Sequence, residues 1–195
     1  MAVAPTYTLE LDRNWLPVPL AFPWGVFPDA EAWAAEVVDS LLAGTGVPAE
    51  GQEQLRATAL TLQAMPGPLP GAVERFWRTE YVGGPAMVAH LYVTDIAAET
   101  TDELLQLSRG GIGGRVQTWT SMEDTAFTVA VQAVVVAEIG ETAIAALRHL
   151  GVRDGYVFLL DFLTEDPMVL EAVQDELATT FRSIRFKGEH GADSA

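Results

Sequence analysis

The chain has three histidines, His90, His149 and His190, and none has a second histidine two to five residues away, the spacing that brings two imidazole nitrogens onto one metal ion. No metal site is expected from them. His90 and His149 read instead as strand histidines, either solvent-facing or bonded to a neighbour. Ser40, Ser108, Ser121, Ser183 and Ser194 all lie outside any Gly-x-Ser-x-Gly elbow, so no hydrolase triad is indicated. Cysteine is absent, which removes disulfides, thiolate zinc sites, iron–sulfur clusters and a cysteine nucleophile from consideration. Gly110, Gly111, Gly113 and Gly114 would interest a search for phosphate cradles. Such a cradle needs a strand-to-helix turn, whereas Arg115 to Met122 reads as a further strand and no Lys-Ser or Lys-Thr follows. A loop is expected there.

The carboxylates give one sharper expectation. Asp161 lies between Leu159 and Leu163 on one strand face, so it is either a buried acid with a raised pKa or the partner of an arginine. Arg148 on the preceding strand comes within cross-strand reach in some registers, and pairing is the expected outcome. Glu165-Asp166 reads as a helix start and Glu123-Asp124 as a turn. Catalysis by paired carboxylates needs a cleft holding two acids at a set separation, and no spacing here provides one. No catalytic residue and no cofactor or metal ligand is therefore assigned.

The 195 residues carry 27 acidic against 11 basic side chains, a formal net charge of -16. That balance excludes a partner held mainly through phosphates, so no nucleic acid is expected, while a basic protein partner would be attracted. Ala126 to Ala137 is the longest nearly apolar stretch, too short to cross a bilayer as a helix, so no membrane insertion is expected. Met1 to Tyr7 lacks the cationic start and apolar run of a signal peptide, which points to the cytoplasm. Residues 187–195 read as a flexible tail following a single α+β domain over 1–186.

The elements that must position these groups are legible from period and punctuation. Tyr7, Leu9 and Leu11 alternate with Thr8, Glu10 and Asp12, predicting a strand of about six residues. The segment from Trp15 to Pro28 contains four prolines, which exclude regular helix and a central strand. It reads as an arm whose Trp15, Phe22, Trp24 and Phe27 either recognise a partner or strap the edge of the core. A pair of antiparallel helices is expected next, from Asp29 to about Ala43 and from about Pro48 to Ala64, with Leu55, Ala59 and Leu62 on one face of the second. Extended segments follow. Val73 to Tyr81 and Ala86 to Asp95 are joined by Val82-Gly-Gly-Pro85, and in the second of them Val88, His90, Tyr92 and Thr94 share a face read as exposed. After one or two helical turns at Thr101 to Leu107, hairpins are predicted around Glu123-Asp124 and around Gly151 to Gly155. Short connections require these strands to be antiparallel, as one up-and-down layer. Asp166, Pro167 and the stripe Leu170, Val173, Leu177 and Phe181 predict a helix lying on the sheet. Ser183 to Phe186 reads as a short final strand.

The segments Val129-Ala-Val-Gln-Ala-Val-Val-Val136, Ala145-Ala-Leu-Arg148, Tyr156 to Asp166 and Phe181-Arg-Ser-Ile-Arg-Phe186 together resemble the end of a PsbP-like domain, which closes with strands, a helix and a Phe-x-Ser-Ile ending. The family includes the extrinsic photosystem II subunit, a Ran-binding nuclear transport factor, LpqN-type mycobacterial proteins and bacterial effector chaperones. The resemblance covers about residues 73–186 and implies an α+β fold, an antiparallel β-sheet covered by helices, with the N-terminal helical pair similar to an insertion. It implies no catalytic residue, because characterised members are mostly binding proteins; LpqN-type members carry export signals, whereas the start of this chain does not resemble one.

The function expected is a non-enzymatic protein-binding adaptor or chaperone for a secreted or particle-associated client, with Trp15, Phe22, Trp24, Phe27, His90 and Tyr92 as contact residues. An acidic immunity protein neutralising a basic toxin is one alternative. A small-molecule-binding protein with a pocket lined by Trp77, Trp119 and Phe158 is another. A homo-oligomer is compatible with all three.

Overall fold

The computed structural model describes residues 5–79, 86–96, 98 and 100–187. Glu80, Tyr81, the Val82–Pro85 loop, His190 and the tail beyond Lys187 lie outside the described residues. In chain order the elements are β1 (Tyr7–Thr8), β2 (Trp15–Pro17), α1 (Ala30–Leu42), α2 (Ala49–Ala64), β3 (Ala72–Arg78), β4 (Met87–Asp95), α3 (Thr101–Leu107), β5 (Arg115–Ser121), β6 (Val129–Ile139), β7 (Thr142–Arg153), β8 (Tyr156–Thr164), α4 (Pro167–Arg182) and β9 (Arg185–Phe186). Seven strands form one sheet in the order β2-β3-β4-β8-β7-β6-β5, and β1 pairs with β9 apart from it. All of these pairings are antiparallel. The fold is α+β, an antiparallel sheet covered by helices.

Local chemistry sets the helix starts. Asp29 accepts a 2.9 Å bond from the Ala32 amide at the head of α1, and Asp166 accepts one from Met168 at the head of α4, where Pro167 needs no acceptor. Thr100 and Glu103 cap α3 reciprocally. Each cap satisfies amides that the first helical turn leaves without partners.

Both faces of the central strands are buried. On one, Leu170, Val173, Leu177 and Phe181 of α4 lie over Phe76, Leu91, Leu147, Phe158 and Phe162. Removing a side chain such as Leu177 from water contributes about 1.5–3 kcal/mol. The opposite face is divided. Trp33, Val37, Leu55 and Leu62 of α1 and α2 cover Trp77 and Val88, while Leu104 of α3 covers Val131, Leu150 and Val157.

Several expectations are corrected. The layer is not a simple up-and-down meander: β8 enters beside β4, so the connection through α3 carries the chain to the far edge at β5. The first strand is two residues long, because Glu10 exchanges bonds with the Ser183 hydroxyl in place of a ladder partner. Leu9 and Leu11 still pack against the core beneath α4. The β7–β8 turn is only Asp154-Gly155, with φ of 51° and 80°, the left-handed pair that a tight hairpin requires. Gly151 therefore belongs to β7. A Cβ there would lie 2.4 Å from Phe127 Cγ, so the ring's close approach excludes any side chain.

Candidate functional site

Pairing in the central strands aligns four polar residues in one row. Arg75 of β3 is opposite His90 of β4, His90 is opposite Asp161 of β8, and Asp161 is opposite Arg148 of β7. All four are buried. Arg148 Nε donates to Asp161 Oδ1 at 3.0 Å, and neither side chain has any solvent exposure. Arg75 Nε donates to His90 Nε2, also at 3.0 Å. Each arginine then reaches from the row to the end of a helix. Arg75 donates to the carbonyls of Leu62, Gln63 and Met65 at the end of α2. Arg148 donates to those of Ser108 and Gly110, just past α3. Those of α2, and that of Ser108 at the cap of α3, are carbonyls a helix leaves without partners at its negative end.

This arrangement sets the protonation of the row. Burial, with the Arg75 guanidinium beside it, lowers the His90 pKa to about 4. Since Nε2 accepts from Arg75, the proton of the neutral ring is on Nδ1. Burial raises the Asp161 carboxyl, outweighing the opposing pull of Arg148. Burial lowers the Arg75 pKa as well.

The row separates two apolar clefts. One step along the strands, Tyr92, Leu150 and Leu159 line a cavity of about 270 Å³ under Leu69 and Gly111. In the other direction Val88, His90 and Leu163 line one of about 310 Å³ under Met65, Pro66 and Pro68. The Tyr92 hydroxyl accepts a 3.3 Å bond from the Leu69 amide, holding the 65–70 connection down.

This geometry corrects the exposed face expected at His90 and Tyr92. Both are buried, because the connection after α2 folds back over them. The pocket expected from Trp77, Trp119 and Phe158 does not form. Trp77 lies under α1 and α2, Phe158 lies under α4 on the other face, and Trp119 is half exposed on the edge strand. Arg148 and Asp161 do meet, as one of the possible registers allowed. The sequence reading does not single out Arg75 or Val26. A signal for Arg75 was present, since Val73, Arg75 and Trp77 alternate as a strand face and a cation there needs buried acceptors.

The proline-rich arm divides in two. Trp15 docks as a strap: it is buried, and its Nε1 donates to Glu176 Oε2 at 2.7 Å. Arg78 and Asn14 donate to the same carboxylate. Burial raises the Glu176 pKa, and these donors more than reverse that, leaving it below its ordinary value. Beyond Val18 the arm turns outward. Trp24 and Phe27 exchange two backbone bonds of 2.9 Å, and their rings stack with centroids 6.0 Å apart. Gly25, with φ of 54°, makes the turn between them. At its apex Val26 is 87% exposed and Trp24 is 37% exposed, with Phe22 and Phe27 half-buried behind them.

No family model and no curated protein matches the sequence. Solved structures give a faint likeness. The solution structure of cyanobacterial PsbP (CyanoP) from Synechocystis sp. PCC 6803 superposes with a TM-score of 0.42 at 12% identity, covering 63% of this chain and 78% of that one. The likeness to PsbP is one of fold, and it is weak. A protein of unknown function from Pseudomonas aeruginosa gives a TM-score of 0.38 at 13% identity, covering 59% of this chain and 76% of that one. Among the described residues no helix is long and apolar enough to cross a membrane, and no three His, Asp or Glu side chains gather as a metal site.

Proposed function

We propose that this chain is a non-catalytic adaptor that binds a protein partner through the Trp24–Phe27 tip. The observation that carries this reading is Val26, an apolar residue facing solvent at the apex of a turn closed by two backbone bonds and a ring stack. A preformed tip loses little conformational freedom on docking, so its apolar area converts efficiently into affinity. In the helical pair that follows it, Asp29, Glu31, Glu36, Asp39, Glu50 and Glu53 are exposed, and Arg56 is the one cation over residues 29–56. The partner is therefore a protein with an apolar pocket rimmed by lysine or arginine, as a client of a chaperone or assembly factor would be. The buried row supports a structural role for its charges, since both guanidinium groups are spent on helix ends, His90 and Asp161. A cytoplasmic setting is part of the proposal, checked by fractionating the host cell.

The test is capture of a stoichiometric partner from the native host by the wild-type chain and by Val26→Asp. Loss of that partner in Val26→Asp at unchanged Tm, with wild-type capture weakening as salt rises, is expected. Equal capture by both chains, or a turnover abolished in Asp161→Asn, would overturn the reading.

A further inference from the structure

His90 carries a hydrogen-bond donor that the fold does not use. Arg75 can only donate, so its bond to His90 Nε2 fixes the imidazole proton on Nδ1. Among the described residues that N–H meets no acceptor, although His90 as a whole is only 3% exposed. Nor is it sealed into the protein, as the unpartnered Nδ1 of His149 is. The space it opens onto is the cleft of about 310 Å³ that His90 lines with Val88 and Leu163 beneath Met65, Pro66 and Pro68.

The walls and the one donor together select an occupant. Apart from His90 the lining is apolar, and no charged side chain among the described residues borders the cleft. The Arg75 guanidinium behind His90 is committed, with Nε on the imidazole and its terminal nitrogens on the Leu62, Gln63 and Met65 carbonyls. A carboxylate would therefore lose its hydration there with no cation to meet it, and the net charge of -16 repels it beforehand. A hydrocarbon would shut the Nδ1–H away from water and leave it unpaired. A neutral molecule with an acceptor oxygen avoids both costs. Volume sets its size, since an apolar cavity of about 150 Å³ takes one benzene ring, and this cleft is large enough for two fused rings.

The cleft on the other side of the row is less suited. Its Tyr92 hydroxyl already accepts from the Leu69 amide, and Leu69 is seated against Gly111, where a Cβ would overlap it. Over the His90 cleft the roof carries Pro66 and Pro68, whose fixed φ stiffens the connection, so docking orders little chain. We infer that the Met65–Pro68 cleft binds a neutral two-ring carbonyl compound, its oxygen accepting from His90 Nδ1–H and its rings lying against Val88 and Leu163. The tip residues from Trp24 to Phe27 do not line this site.

Titration of the full chain with 2-acetylnaphthalene tests this, read by calorimetry and by NMR of the His90 ring nitrogens. Saturable binding that shifts the Nδ1 resonance is expected. 2-Ethylnaphthalene, of the same shape without the oxygen, and 2-naphthoate should each bind at least about tenfold more weakly. Leu163→Trp fills the cleft and should abolish binding at a Tm close to wild type; Val88→Phe serves the same purpose if that chain is unstable. Val26→Asp should bind the ketone normally, which separates this cleft from the proposed partner tip. No binding of the ketone, equal binding of either analogue, an unmoved Nδ1 resonance, or binding that persists in the folded cleft-filling variant would overturn the inference.

Discussion

Arg148 and Asp161 face each other across β7 and β8 with 3.0 Å between Nε and Oδ1, both without solvent exposure. The pair stands in mid-sheet, and Arg148 also holds the carbonyls that follow α3. It is therefore a joint between two layers as well as an ion pair.

Removing one partner leaves a buried charge without compensation. Arg148→Met and Asp161→Leu should each cost about 3–5 kcal/mol in urea denaturation. The double variant should cost less than the sum of the two by at least about 1 kcal/mol, because the stranded charge disappears with its partner. Additive losses would show that the two side chains are not coupled.

Gly151 lies beneath Phe127, whose ring stacks on Phe181 at 4.8 Å and packs against Phe158 and Phe186. A methyl group at position 151 has to displace that cluster. Gly151→Ala should lower stability by about 1–3 kcal/mol, read as a drop in Tm. In a Phe127→Leu background the same substitution should cost measurably less.

The two buried histidines should hold opposite tautomers. His90 accepts at Nε2 from Arg75, leaving its proton on Nδ1, whereas His149 Nε2 lies 3.0 Å from the Gln132 side-chain oxygen and must donate. Heteronuclear NMR of the ring nitrogens reads this directly: a His90 protonated on Nε2 would contradict the row geometry, and a His149 protonated on Nδ1 would contradict the Gln132 contact.

Burial, assisted by Arg182, lowers the His149 pKa to about 3, and that of His90 is near 4. A histidine held neutral in the fold while the unfolded chain takes up a proton stabilises above about pH 6.5, and that contribution is lost as pH falls toward the folded value. Asp161 and Glu74 are raised by burial and act in the opposite sense, favouring the fold at low pH and losing that contribution as pH rises through their folded values. Substituting one histidine isolates its share. Between pH 6.5 and 3, His149→Gln should flatten the stability profile by one proton, about 1.4 kcal/mol per pH unit.

The amino-acid sequence by itself determined the helices and most of the strands, because their signals are local. Asp29, Pro48 and Asp166 each mark a helix start, and the stripe Leu170, Val173, Leu177 and Phe181 lies on the sheet as its spacing requires. It also held the Arg148–Asp161 pair as one register among several. Tertiary structure alone decided which register was realised, and so which polar groups share a row, since strand alternation is the same on either side of a one-residue slip. The strand order was equally hidden: β4 and β8 are far apart in sequence, and short connections constrain only neighbouring strands. Burial of His90 and Tyr92 came from a third element, the 65–70 connection, which no pattern within β4 records. At the other extreme, Val26 is one apolar residue among many in an apolar arm. Only the turn closed by Trp24 and Phe27 turns it toward solvent.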